Sequence, residues 1–395
     1  MEKGNPRLQN IEYLCHSIWM ELKLDEFLSM NGISEDEIFQ IESIITERIV
    51  FPDNENNQRK QKENGNTNNE KVDFPSGSLH DLSISAGERL LSVKDALEKN
   101  LVQVEKNIFN LTDETLFFDL RNIYPHGLSS PIYQQEAGTS GARQNVAQTN
   151  TLGLVLDIFG FVRYSRILNG DQLDNDILRD MVKELDKCST SSSCANRMII
   201  INSNVANEEN VEWFENNDYH YIAVNHSNSP VEEDGTDMHP VREDEFRRII
   251  FEFKRLIVEK EVLILYRIED KNEKDKPIRL RIGELSDMLS KYILKTDRVL
   301  YSDEEIWGLY KMVMRLKSSY TSVNIPSEFD VYPSEIKQVF DVDILISILA
   351  YHIITIIEYR LRQYGEYRWW HTIRDILKGD NYFEVFNRLN ISEAP

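Results

Sequence analysis

The sequence predicts an α/β fold: a mixed sheet flanked by helices, with a helical unit ahead of it and a strand-rich segment inserted late. Three observations predict it. From Leu116 onward, short apolar runs alternate with stretches of helical spacing. Two of those runs, Leu152 to Asp157 and Gly160 to Leu168, are joined by a tight turn at Ile158-Phe159-Gly160 and read as a β-hairpin. The composition, 41% apolar and 28% charged over 395 residues, is that of a globular chain with core enough for two or three folding units.

Taken in order, residues 1–52 form a helical N-terminal unit. Ile11, Leu14, Cys15, Ile18, Trp19 and Leu22 trace one helix face, and Ser34-x-x-Glu37 is a capping box that opens a second helix through Ile38, Ile41, Ile45 and Ile49. Pro52 stops it. Residues 53–75 read as a linker, since Asp53 to Lys71 holds seven Asn and no aliphatic or aromatic side chain. Residues 76–225 form the first part of the core. A helix is expected over Leu82 to Phe109, a strand over Phe117 to Ile123 and an irregular loop over 125–150, followed by the hairpin. Then come a helix from Asp174 to Leu185, a strand from Met198 to Ile201, a helix from Glu208 to Asn216 and a strand from Tyr219 to Val224. Residues 226–300 read as an insertion, exposed at 226–240 and strand-rich over Arg248 to Ile268. Residues 301–395 complete the core with helices: Ser302-x-x-Glu305 caps one to about Tyr320, a second runs from Ile336 to Arg362, and Trp369, Trp370, Ile373, Ile376 and Leu377 mark a small amphipathic one.

Charge narrows the function. Forty-five basic against sixty-seven acidic residues leave a net charge of −22, which repels nucleic acid unless basic groups cluster. Residues 241–300 hold 15 Lys and Arg against 13 Asp and Glu, the balance of an ion-paired region more than of a phosphate-gripping face. Three cysteines, Cys15, Cys188 and Cys194, are too few for a disulfide framework or a zinc cluster and imply a reducing compartment. The N-terminus, Met1 to Pro6, lacks an apolar signal core, so a cytoplasmic location is expected. The apolar stretch Ile344 to Ile357 is shorter than a bilayer span and reads as a buried helix, so no membrane partner is expected. No phosphate-binding glycine loop, zinc-spaced histidine pair or serine elbow is present.

The chemistry-bearing residue is Asp119, which ends the run Leu116-Phe117-Phe118. With Phe117-Phe118-Asp119-Leu120-Arg121-Asn122-Ile123-Tyr124, the segments Leu152 to Asp157 with Gly160-Phe161, Leu168-Asn169-Gly170-Asp171, Ile199 to Val224, and Ile348 to Tyr351 with Ile357 to Leu361, the chain resembles DDE-class insertion-sequence transposases. The resemblance implies an RNase H-like core with a β-rich insertion before its last core helix. It further implies DNA as a partner, room for a homodimer, and DNA cleavage and strand transfer on two Mg2+ or Mn2+ ions held by three carboxylates.

Only the first carboxylate is present. The second acid position falls on Asn202, in Ile200-Ile201-Asn202-Ser203-Asn204, and an amide brings no charge to a hard cation. The third falls on Lys317, and the DNA-gripping basic positions on Thr321 and Asn324; a second register, anchored on Trp307, puts Tyr310 in the glutamate's place. Asp157, Asp171 and Glu305 are the candidate substitutes, although both aspartates sit where turns favour Asp. His352 reads as a hydrogen-bonded core histidine, and Trp369 and Trp370 as packing residues rather than a base-stacking platform. The expectation is a degenerate, catalytically inactive copy. The alternatives are a non-catalytic interaction protein of the same descent and an active nuclease with substitute carboxylates.

Overall fold

The computed structural model describes residues 6–51, 84–125, 150–169, 175–188, 197–201, 205–226, 239–244, 249–258, 261–270, 292–298, most of 301–309, 328–329, 337–366, 368 and 370–378. The expected 53–75 linker and most of the 125–150 loop lie outside them. In α1 (Pro6–Glu21), Ile11, Leu14, Cys15, Ile18 and Trp19 turn inward at i, i+3 and i+4 spacing, none more than 1% exposed. Lys23, in the left-handed region at φ 56°, separates α1 from a short α2 (Leu24–Met30) that periodicity does not distinguish. The capping box opens α3 (Glu35–Val50): the Glu37 carboxylate accepts the Ser34 N–H at 3.0 Å and its hydroxyl at 2.8 Å. The helix expected over 82–109 is two, α4 (Ile84–Ser92) and α5 (Lys94–Phe109), divided at Val93.

One mixed sheet runs through the protein. Its strands are β1 (Thr115–Pro125), β2 (Asn150–Asp157), β3 (Val162–Asn169), β4 (Met198–Ile201), β5 (His220–His226), β6 (His239–Asp244), β7 (Ile249–Val258), β8 (Glu261–Asp270), β9 (Tyr292–Thr296) and β10 (Glu328–Phe329). The spatial order is β3-β2-β1-β4-β5-β9-β8-β7-β6, with β10 beside the end of β1. β1, β4 and β5 are parallel, and every other neighbouring pair along that order is antiparallel. β6, β9 and β10 have no counterpart in the sequence reading. They are short, β6 carries Pro240 and three charged residues, and each is defined by its partner more than by its own pattern.

Side-chain alternation divides the sheet into two faces. Leu116, Phe118, Leu120, Val155, Ile199 and Ile201 pack with Leu178, Met181 and Val182 of α6 (Asn175–Cys188) and Val211 and Phe214 of α7 (Glu208–Asn216). Gly153 of β2 lets α6 come close: a Cβ there would lie 2.6 Å from Met181 Sδ and 3.0 Å from Leu120 Cδ2. Phe117, Leu154, Met198, Ile200, Ile222 and Leu294 face the other way, into a core shared with α1 to α5, α8 (Lys337–Gln363) and α9 (Trp370–Lys378). α8 is long and apolar enough to cross a membrane by length and composition, but 89% of its apolar window is buried inside the protein, the position of a core helix. Buried Arg48 of α3 holds its N-terminal part, donating to the Asp343 carbonyl at 2.8 Å and pairing with the Asp343 carboxylate.

Candidate functional site

Asp119 lies within β1 and is 2% exposed. Strand alternation puts it on the face of Phe117, and the β1–β2 register sets it opposite Leu154. On the other side, β4 ends at Ile201, opposite Phe118. The parallel pair therefore closes within one residue of Asp119, at the carboxyl end of β4, where open α/β sheets place their ligand crevices. Asn202, the next residue along the chain, lies outside the described residues, as do Asp171 and Lys317.

The other acids are engaged elsewhere. Asp157 pairs across the ladder with Leu116, three residues down β1 from Asp119 and so about 10 Å along the strand. Its Oδ1 accepts the N–H groups of Phe159 and Phe161, each at 2.9 Å, and forms the turn; its Oδ2 accepts from Arg163 Nη2 at 2.7 Å, with both side chains 1% exposed. Burial pushes the Asp157 carboxyl above the ordinary aspartate range, against the pull of Arg163 and the two N–H groups, and nearby Glu105 adds to the rise. Glu305 is exposed and caps its own helix: it accepts the Ser302 N–H at 2.8 Å while its N–H donates to Ser302 Oγ at 3.2 Å. Those hydrogen bonds hold its carboxyl below the usual glutamate range. Asp157 and Glu305 thus do the turn and cap tasks that their sequence positions suggest, and their carboxylates are engaged locally.

Among the buried acids that sequence reasoning missed are two on α5. Glu98 accepts the Ser165 N–H at 3.3 Å and its hydroxyl, and pairs with Lys94 at 2.9 Å. Ser165 stands across β2 from Asp119, in the row Ser165, Leu154, Asp119. Only the Lys94–Glu98 spacing of i, i+4 could have drawn attention to it. Glu105, fully buried, accepts from or donates to His352 Nδ1 at 2.6 Å, which gives His352 the core hydrogen bond expected of it. Trp370 is buried, as a packing residue should be; Trp369 lies outside the described residues.

Among the described residues, no group of three or more His, Cys, Asp or Glu side chains is arranged to hold a metal ion. Hard divalent cations take six or more oxygen ligands, several of them charged, and two-metal chemistry needs bridging carboxylates. Asp119 alone does not fit that requirement, and no catalytic step through a metal follows from these residues.

No protein-family model matches the chain, and no curated protein matches it in sequence. Solved structures similar to it include piggyBac transposase in a synaptic complex with hairpin DNA, at 10% identity and a TM-score of 0.44, covering 99% of this chain and 80% of that one. Mos1 transposase in a paired-end complex with a left transposon end is similar at 14% identity and a TM-score of 0.19, over 42% of this chain and 49% of that one. Aa-Ago with externally bound siRNA is similar at 10% identity and a TM-score of 0.26, over 80% and 47%. At these TM-scores the superpositions are too loose to carry function from those proteins to this one.

Proposed function

We propose that this chain is a transposase-derived protein with an RNase H-like core that has lost metal-dependent DNA cleavage. The observation that carries the reading is strand order and register. β3-β2-β1-β4-β5, with β2 alone antiparallel to both of its neighbours, brings Asp119 on the central strand beside the end of β4. That is where two acids would meet in such a core, and here the residue following Ile201 is Asn202. The ancestral reaction is in-line attack by water or a 3′-hydroxyl on phosphorus. With an amide at the second position and Lys317 at the third, the donor set is too weak and too positive to hold Mg2+ or Mn2+. The division into a helical unit (1–52), linker (53–75), core (76–225 and 301–395) and insertion (226–300), and a cytoplasmic location, belong to the same reading.

A second reading, a non-catalytic interaction protein of this descent, gains support from α7. Its exposed residues include Glu208, Glu209, Glu212 and Glu215, the helix carries no basic residue, and among the described residues only Glu209 is met by a cation, Arg179 at 3.0 Å. Such a face repels a DNA backbone.

Calorimetric titration of Mn2+ into the full chain and into Asp119→Ala tests the proposal. Loss of the chemistry predicts no micromolar binding in either protein. Micromolar binding that disappears in Asp119→Ala would establish a working metal site and sink the reading.

A further inference from the structure

We infer that the junction of α5, α8 and the β2–β3 turn is an internal water-binding site, built from Arg163, Glu105, His352 and Asp113. Three buried charged or titratable groups, Arg163, Glu105 and His352, and the partly buried Asp113 gather there. Arg163 joins Asp157 at 2.7 Å and brings its Nε to 3.3 Å from Asp113 Oδ1, and Asp113 also receives Lys106. On the helix side, Glu105 and His352 meet at 2.6 Å, with side chains 0% and 1% exposed. The three elements meet where Phe109 of α5, Phe161 of the turn and Tyr359 of α8 lie with ring centroids 5.2, 5.3 and 5.4 Å apart, and where Arg362 of α8 donates to the Phe159 carbonyl at 2.9 Å. Glu105 also acts on the ionisation of Asp157.

Five buried atoms of this cluster make no hydrogen bond among the described residues: Arg163 Nε and Nη1, Glu105 Oε2, Asp113 Oδ1 and His352 Nε2, with Arg163 Nε and Asp113 Oδ1 facing each other only as an ion pair at 3.3 Å. Two are donors, two are carboxylate acceptors, and the imidazole nitrogen can be either. The mixture selects the ligand. A cation would meet the guanidinium, an anion would meet Glu105, Asp157 and Asp113, and an apolar molecule would leave every one of the five unsatisfied. A small neutral molecule that both donates and accepts answers all of them, and water is that molecule. Leaving these buried polar atoms unsatisfied costs more than immobilising one or two waters. The waters would then join α8 to the sheet through hydrogen bonds that no pair of side chains here makes directly.

A crystal structure of the whole chain, at a resolution that shows ordered solvent, tests this without any substitution. Solvent density at about 2.7–3.2 Å from both Arg163 Nη1 and Glu105 Oε2 is the expected result. Direct contacts of these atoms with protein groups, and no density between them, would overturn it. In solution, magnetic relaxation dispersion counts long-lived internal waters; the count should fall by at least one in Glu105→Leu/His352→Leu, and an unchanged count would also overturn the assignment.

Discussion

Replacing Asp157 by asparagine keeps an oxygen for the Phe159 and Phe161 N–H groups and removes only the charge. It leaves Arg163, 1% exposed, beside a neutral amide. A guanidinium cannot release its proton to escape burial, and its remaining partner Asp113, 3.3 Å from Nε and shared with Lys106, offsets only part of the loss, so the cost should approach the low end of the about 3–5 kcal/mol of a broken buried pair. The reverse substitution, Arg163→Met, strands a carboxylate that has an exit. Burial already pushes the Asp157 carboxyl up, and protonation neutralises it, which limits the cost to about 1–2 kcal/mol. In that variant the folded-state pKa stands above the unfolded one. Stability is therefore highest below the ordinary carboxyl range and falls as pH rises through it toward the raised value. The double variant should cost less than Asp157→Asn alone, with a coupling of about 1–3 kcal/mol, because nothing charged is left unpaired. Urea unfolding followed by tryptophan fluorescence at several pH values measures all four corners of the cycle. A cost below about 1 kcal/mol for Asp157→Asn, or strictly additive costs, would show that the pair and the turn do not depend on each other. If Asp157 were a metal ligand instead, Mn2+ would stabilise the wild type and not Asp157→Asn; the structure predicts no such difference.

Three further outcomes follow from single contacts. Gly153→Ala should lower stability by about 1–2 kcal/mol in thermal unfolding, since the added Cβ meets Met181, whose flexible end can yield only part of the overlap; an unchanged midpoint would mean that the packing against α6 is slack. The Ser34 N–H, the Ser34 hydroxyl and Arg89 hold Glu37 below its usual range, so its cap supports α3 above the ordinary glutamate pKa and is lost as pH falls through the depressed value. The stability gap between wild type and Glu37→Gln should close as pH falls below the usual glutamate range and through the depressed value, and a gap that persists once the carboxyl is protonated would refute the role of the charge. Cys15 is buried, with its thiol pushed far up by desolvation and by Glu42 and Glu12, so iodoacetamide should leave its peptide unmodified until the chain unfolds; rapid native labelling seen by peptide mass mapping would contradict the packing of α1.

What could be read in the sequence was local. The Ser34–Glu37 and Ser302–Glu305 boxes, the hairpin turn at Asp157, and the Met198–Ile201 strand followed by the Glu208–Asn216 helix are written in residues a few positions apart, and the structure places them as expected. β9 and β10 are not legible in that way, because five and two residues become strands only beside β5, β8 and β1. Glu98 and Glu105 look like the solvent face of a charged helix. Their burial depends on Ser165 and His352, 67 and 247 residues away, which no local pattern records. At the candidate site, Asp119 is legible because it follows the apolar run Leu116-Phe117-Phe118, and the turn role of Asp157 is legible from its place in the hairpin, whereas its buried partner Arg163 is seen only in the fold.

The contact of Arg48 with Asp343 also bears on how the protein is made. The two residues are 295 positions apart, and the apolar faces of α1 to α3 close over α8 and α9, which follow them by some three hundred residues. At about 5–20 residues per second, those N-terminal helices leave the ribosome roughly 15–60 s before their partner does. For that interval Ile11, Trp19, Ile41 and Ile45 have no α8 to pack against. Termination anywhere before α8 would leave a fragment whose N-terminal helices lack the surface that covers their apolar faces.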